Sequence, residues 1–167
     1  MTTDVFSPEQ RSAVMRRVRS RDTKPELLVR RILRAVGIGY RLGGGGLPGR
    51  PDLVMKGRKV AVFVHGCFWH GHDCPRGSRQ PKANADYWAA KIGRNRARDE
   101  RSTEALQADG WRVVTVWECD MRAPRFAQDL VEAVKGQAAT STSPSASLST
   151  CCSAPSKAGG VSGLDTK

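Results

Sequence analysis

The chain has 167 residues, with 28 Lys and Arg against 16 Asp and Glu, for a formal net charge of +12 and a pI near 10.2. That length supports one domain with a real core, and that charge surplus points to a polyanion, most often nucleic acid, over a merely solubilising surface. No apolar run is long enough to span a membrane, and the N-terminus MTTDVFSPEQ lacks the apolar core of a signal peptide, so no membrane partner and a cytoplasmic setting with reduced cysteines are expected.

Ser7-Pro8-Glu9-Gln10 has the pattern of a helix start: Ser7 as cap, Pro8 in the first turn, Gln10 closing a capping box. This helix carries Arg11, Arg16, Arg17 and Arg19, with Val14 and Val18 spaced for one side. Thr23-Lys24-Pro25-Glu26 is a second capping box. Its helix has Leu28, Ile32 and Val36 as an apolar face and Gly37 as its stop. Tyr40 to Leu42 reads as a short edge strand, and Gly43 to Gly46 as a flexible loop. Leu47-Pro48-Gly49-Arg50-Pro51-Asp52 leads into a strand over Leu53 to Met55, and Lys56-Gly57-Arg58 turns tightly into the next.

That next strand, Val60 to Val64, is a short continuous apolar run with β-branched residues, as expected of a strand buried on both faces. Gly66 ends it. Within ten residues follow two cysteines, a Phe-Trp pair, an aspartate and the rest of the protein's three histidines. A rigid strand emptying into such a cluster marks a functional loop. Pro75 to Ala85 is a basic loop. A long helix follows from about Asp86 to Ala108, with Trp88, Ile92, Asp99 and Leu106 marking its faces and Gly110 ending it. Arg112 to Trp117 is an apolar strand leading to Glu118-Cys119, and Phe126, Leu130 and Val134 outline a last helix. From Gly136 onward Ser, Thr, Ala, Pro and Gly dominate without periodicity, so residues 1–135 are expected to form the domain and 136–167 a disordered tail, with Cys151 and Cys152 incidental to it. The order ααβββαβα fits an α/β fold: a mixed sheet covered by helices.

Cys67, His72 and Cys74 lie close together, and Cys119 stands at the end of another strand. Three thiolates and one imidazole make a closed tetrahedral, hence structural, zinc site; the C-x4-H-x-C spacing is not a common finger pattern, and unligated buried cysteines are the plain alternative. His65 and His70 remain outside that set. Asp52 follows Pro51 at the start of a strand that pairs with the His65 strand, an element familiar in nucleases, where the carboxylate binds Mg²⁺. His70 is suited to deprotonate an attacking water, against the bland reading of a satisfied polar residue. Phe68, Trp69 and Trp88 are either core or aromatics that stack on bases.

The stretches MRRVRSRDTKPE, LPGRPDLV, FVHGCFWHGHDC, YWAAKIGRNRARD and GWRVVTVWEC, in that order over roughly residues 8 to 135, resemble the very-short-patch-repair (Vsr) DNA mismatch endonucleases. The resemblance implies a restriction-endonuclease-like fold and an enzyme that nicks DNA 5′ to the T of a T·G mismatch left by deamination of 5-methylcytosine. It implies Asp52 as the Mg²⁺ ligand together with the backbone carbonyl of Val64, where a threonine is familiar. It further implies His70 as general base, His65 beside the scissile phosphate, and Glu26 as an acidic support of the metal site, a role that competes with capping. Cys67, His72, Cys74 and Cys119 would hold structural Zn²⁺, and Phe68, Trp69 and Trp88 would intercalate beside the mismatch. Double-stranded DNA with a T·G mismatch is the implied substrate, mismatch-repair proteins are candidate partners, and a monomer associated with the nucleoid is expected. The rival is a catalytically silent zinc module that recognises distorted DNA.

Overall fold

The computed structural model describes residues 21–79, 81 and 84–136, together with Gln10 and Ala13. The first expected helix and the tail expected from Gly136 therefore lie outside the described residues, except for Gln10, Ala13 and Gly136 themselves.

Helix α1 (Lys24–Ala35) starts where the capping box places it: Thr23 is the N-cap and its Oγ1 accepts from the Glu26 N–H. It ends as a Schellman motif, with the Ile38 N–H donating to the Leu33 carbonyl at 2.9 Å and the Gly37 N–H to that of Arg34 at 3.0 Å. Gly37 takes the left-handed φ of 71° that this closure requires. Its buried face differs from the expected one. Val29 and Leu33 are fully buried, Leu28 and Ile32 only flank them, and Val36 lies exposed at the C-cap. The helix turns one residue further toward the core than the Leu28–Ile32–Val36 row requires.

Four strands follow: β1 (Arg41–Leu42), β2 (Leu53–Met55), β3 (Val60–His65) and β4 (Arg112–Trp117), in the spatial order β1-β2-β3-β4. The first three form an antiparallel meander, and β3 and β4 pair in parallel from Val60↔Arg112 to His65↔Trp117. Gly43 to Gly46, expected as a flexible loop, take left-handed φ of 84°, 71°, 55° and 83°, and a Cβ at Gly44 would lie 2.7 Å from the Arg50 Cα, so this turn packs directly on the approach to Asp52. Parallel β3 and β4 need a crossover, supplied by the long helix α2 (Ala85–Ala108). The last helix, α3 (Phe126–Lys135), buries the three residues that outlined it: Phe126, Leu130 and Val134. Arg112 donates through Nη2 to the Val134 carbonyl at 2.7 Å and through Nη1 to that of Gly136, tying the end of α3 to β4.

The sheet is buried on both faces, as the unbroken apolar run of β3 requires. Val60, Val62, Val114 and Val116 point toward α1 and α3, while Ala61, Phe63 and Val113 point toward Leu106 of α2. This three-layer arrangement is a mixed sheet flanked by helices, consistent with a restriction-endonuclease-like fold. No helix among the described residues is long and apolar enough to cross a membrane.

Candidate active site and metal centre

The functional loop leaves β3 at its C-terminal end, beside the C-terminal end of β4. This edge of parallel strands is where α/β sheets commonly hold their ligands. The Glu118 N–H donates to the His65 carbonyl at 3.0 Å, so the two strand ends stay paired as they enter their loops. Cys67 follows one and Cys119 the other.

Gly71 divides the loop's work. Its φ of 62° reverses the chain between His70 and His72, and its backbone lies so close to α2 that a Cβ would meet Ile92 at 2.8 Å. His72 therefore turns toward the cysteines, and His70 toward His65 and α2. One ligand atom from each of Cys67, His72, Cys74 and Cys119 lies within 4.8 Å of all the others, and His72 Nδ1 is 3.5 Å from Cys119 Sγ. The chemistry of this donor set suits a soft dication. Burial pushes the Cys67 and Cys119 thiols up, and at Cys119 the adjacent Cys67 thiol adds to it. At Cys74 burial also acts upward, but the His72 ring and the backbone N–H groups of Gly77 and Arg76 outweigh it and bring the thiol down to about 6. Three crowded thiolates need a bound cation to coexist, and three sulfurs with one imidazole fit the tetrahedral demand of zinc. Trp117 stacks on His72 with centroids 4.3 Å apart and meets the His65 ring edge-on at 5.2 Å, joining this centre to the next.

The second centre contains a residue that sequence reading used only to mark a helix face. His70 Nδ1 lies 2.5 Å from Asp99 Oδ2 on α2. Burial acts to raise the Asp99 carboxyl, but the His70 hydrogen bond and positive charge outweigh it and hold it below the usual carboxylate range. His65 is 9% exposed, and burial, then the neighbouring His70, lower it to about 4, so its ring is neutral at physiological pH. The two imidazoles stack at 3.8 Å with planes 5° apart. Although His65, His70 and Asp99 also lie within 4.8 Å of one another, parallel rings aim their in-plane lone pairs side by side, not at one ion. The group is better built to hold one proton.

Asp52 closes the site from the residue just before β2. Its Oδ2 accepts from the Val64 N–H at 2.7 Å, across the strand pair. Burial raises its carboxyl, the Val64 hydrogen bond opposes this, and the charges of Glu26, Arg30 and His70 all reach it. A strand residue points its N–H and C=O to the same edge, so the Val64 carbonyl faces the Asp52 side. Oxygen donors of this kind suit a hard cation such as Mg²⁺. Glu26 stands beside the same carboxylate and is buried, at 5% exposed.

Phe68, Trp69 and Trp88 pack on one another with centroids 5.2 to 6.0 Å apart, all three half-buried and outside both buried clusters of the sheet. Lys91 Nζ lies 5.4 Å from the Trp69 ring centre and 5.3 Å from that of Trp88, and Asn95 Nδ2 donates to the Trp69 carbonyl at 2.9 Å. Trp88, Lys91, Ile92, Asn95 and Asp99 thus share the face of α2 turned to the loop, at helical spacing. The signal for Asp99 was that spacing: it lies on the face already marked by Trp88.

Residues 3–76 match the family described as DNA mismatch endonuclease Vsr. The chain is 51% identical over 119 residues to the type II nicking enzyme V.XorIIP of Xanthomonas oryzae pv. oryzae, covering 71% of this chain and 87% of the relative. It is 43% identical over 120 residues to the type II nicking enzyme V.NmeAIP of Neisseria meningitidis, covering 72% and 85%. With the DNA mismatch endonuclease Vsr of Escherichia coli it shares 41% over 119 residues, covering 71% and 76%.

Proposed function

Since this chain belongs to the Vsr DNA mismatch endonuclease family, we propose that it is a Mg²⁺-dependent hydrolase that nicks one strand of DNA 5′ to the T of a T·G mismatch. The observation that carries the reading is the His70–Asp99 pair held within electrostatic reach of Asp52. The names of its relatives, nicking enzymes and a mismatch endonuclease, support cleavage of one strand at a mispair.

With Nδ1 engaged by Asp99, His70 keeps Nε2 for the water. A water oxygen attacks phosphorus and its proton passes to His70 Nε2; the bond to the neighbouring 3′ oxygen breaks, and that oxygen takes a proton from solvent water, leaving a 3′ hydroxyl and a 5′ phosphate. Asp99 holds the imidazole in the tautomer this needs and compensates the charge it gains. His65, neutral and stacked on His70, donates toward the scissile phosphate without adding a second positive ring. Asp52 and the Val64 carbonyl would hold Mg²⁺, which polarises the phosphate and lowers the pKa of bound water. Glu26 supports Asp52. Cys67, His72, Cys74 and Cys119 would hold Zn²⁺ in a closed structural site.

Phe68, Trp69 and Trp88 act as the wedge that opens the mispair. Their position outside the buried clusters favours this over a packing role. The basic side chains provide phosphate contacts that carry no sequence information. The decisive experiment is a nicking assay on T·G and matched duplexes with Mg²⁺ and then with EDTA. Mg²⁺-dependent nicking of the T·G duplex alone is expected. Tight T·G binding without nicking under any divalent cation would leave the catalytically silent zinc module.

A further inference from the structure

We propose that Arg30 is a positioning residue for the cation site: a resident counter-charge that fixes Glu26 beside Asp52 and keeps it from coordinating the cation directly. The proposal deepens the reading of Asp52 as the cation ligand and rests on it.

Both oxygens of the Glu26 carboxylate are occupied. Oε1 accepts from the Thr23 hydroxyl at 2.8 Å, while Oε2 accepts from the Asp22 N–H at 3.0 Å and from Arg30 Nη2 at 2.9 Å. Arg30 lies one turn along α1, and its Nη1 pairs with the Asp22 carboxylate. Its side chain is only 13% exposed, and its Nε is buried without a hydrogen-bond partner among the described residues. Burying a guanidinium so far costs solvation that only opposed charges repay. The charges that surround it are Glu26, Asp22 and, at longer range, Asp52.

Asp52 presents the opposite picture. Its carboxylate receives one hydrogen bond among the described residues, from Val64, and retains acceptor capacity for a cation. Direct ligation by Glu26 would require breaking its contact with Arg30 and seating a dication against a guanidinium. Arg30 therefore sorts two neighbouring carboxylates into different roles, Asp52 as ligand and Glu26 as a fixed anion acting through water. The arrangement gives up cation affinity and gains a single geometry.

The test uses the full-length, zinc-loaded protein without DNA. Mn²⁺ binding is followed by the electron paramagnetic resonance of the free ion, alongside the rise in melting temperature with added Mg²⁺. Arg30→Met, which keeps length but removes charge and fork, should bind Mn²⁺ about tenfold tighter, the scale of one partly screened charge. It should also nick more slowly at saturating Mg²⁺. Arg30→Lys keeps the charge and loses the fork, so its Mn²⁺ affinity should match the parent while its rate falls. If Arg30→Met does not fold, Arg30→Lys decides, and a parental rate there overturns the proposal. Mn²⁺ affinity equal to or weaker than the parent in a folded Arg30→Met also overturns it. Asp52→Ala separates the two levels. Loss of Mn²⁺ binding in Asp52→Ala without tightening in Arg30→Met defeats the role of Arg30 alone, whereas parental Mn²⁺ binding in Asp52→Ala defeats the Asp52 reading beneath it.

Discussion

Replacing Asp99 with Asn probes the proton path, because it changes one atom and almost no volume. In the parent, Asp99 Oδ2 sits 2.5 Å from His70 Nδ1, and under the proposed mechanism it leaves Nε2 as the basic nitrogen. An Asn at this position has two choices. With its carbonyl toward Nδ1 the tautomer survives but the compensating charge is gone; with its amide there, the ring proton moves to Nε2 and the base is blocked. A hydrogen bond to a charged group contributes about 1.5–3 kcal/mol. At 1.36 kcal/mol per factor of ten, losing it in the transition state slows the step by roughly 10- to 150-fold. The tautomer error adds to that, with an upper bound near the ~10⁴ caused by the same change behind the histidine of a serine-protease triad. We expect Asp99→Asn to lower single-turnover nicking of a T·G duplex by about 10²-fold or more, with duplex affinity at fixed salt within about twofold by the same reasoning.

A pH series adds an independent check. The Asp99 carboxyl is held below its ordinary range once burial is outweighed by His70. A depressed carboxyl contributes stability that is present above its unfolded value and is lost as pH falls through the lower folded value. The melting temperature of the parent should therefore exceed that of Asp99→Asn at neutral pH, and the gap should close below about pH 4. A nicking rate within threefold of the parent, or equal losses in rate and affinity, would refute Asp99 as the residue that positions the base.

Asp52→Asn should abolish nicking yet raise the melting temperature of the Mg²⁺-free protein, because burial and the neighbouring Glu26 make ionised Asp52 a cost of folding that is greatest at neutral pH and disappears in acid. A chain of this size gains about 2–4 °C per kcal/mol, and a fall in melting temperature would count against that account. Cys74→Ser should lose zinc and cooperative unfolding together, measured by metal analysis and calorimetry, whereas a folded variant that retains zinc would mean a different ligand set. Trp69→Ala should weaken T·G binding by about ten- to a hundredfold, from ~1–3 kcal/mol of stacking, while matched-duplex binding and melting temperature change little. Equal losses on both duplexes with a destabilised fold would make Trp69 a packing residue.

The elements that declared themselves in the sequence did so through local chemistry. The Thr23 capping box, the Gly37 stop and the β-branched run of β3 each satisfy backbone groups or bury apolar surface within a few residues of the signal. What misled was rotation about an axis. Leu28, Ile32 and Val36 are one acceptable apolar row on α1, and Val29 and Leu33 with Leu28 and Ile32 are another; only the sheet beneath decides between them. The Gly43–Gly46 run looked like slack chain because glycines state what a backbone is free to do, not where it goes. Here that freedom lets the left-handed turn at Gly44 approach Arg50 too closely for any side chain.

The site divides along the same line. Cys67, His72 and Cys74 announce themselves by density, and His70 by being left over from their set. Asp99 and Arg30 carry no such mark. Each is one charged residue among many on a helix of a basic protein, and each acquires its role from what the fold sets opposite it. Asp99 faces a loop 29 residues away in sequence, and only the turn at Gly71 brings His70 to it. Arg30 faces its own helix start, yet its consequence lies at Asp52, just before a strand whose distance from α1 no periodicity records. Ligand-rich loops thus reveal which chemistry is present, and helix faces determine how it is oriented. If that division holds, substitutions of the loop's zinc ligands should abolish zinc binding outright, and substitutions at Asp99 and Arg30 should leave the metals bound while changing the nicking rate by graded factors. A graded effect at Cys74, or loss of zinc on replacing Asp99, would be the clearest sign that the two layers are not separable.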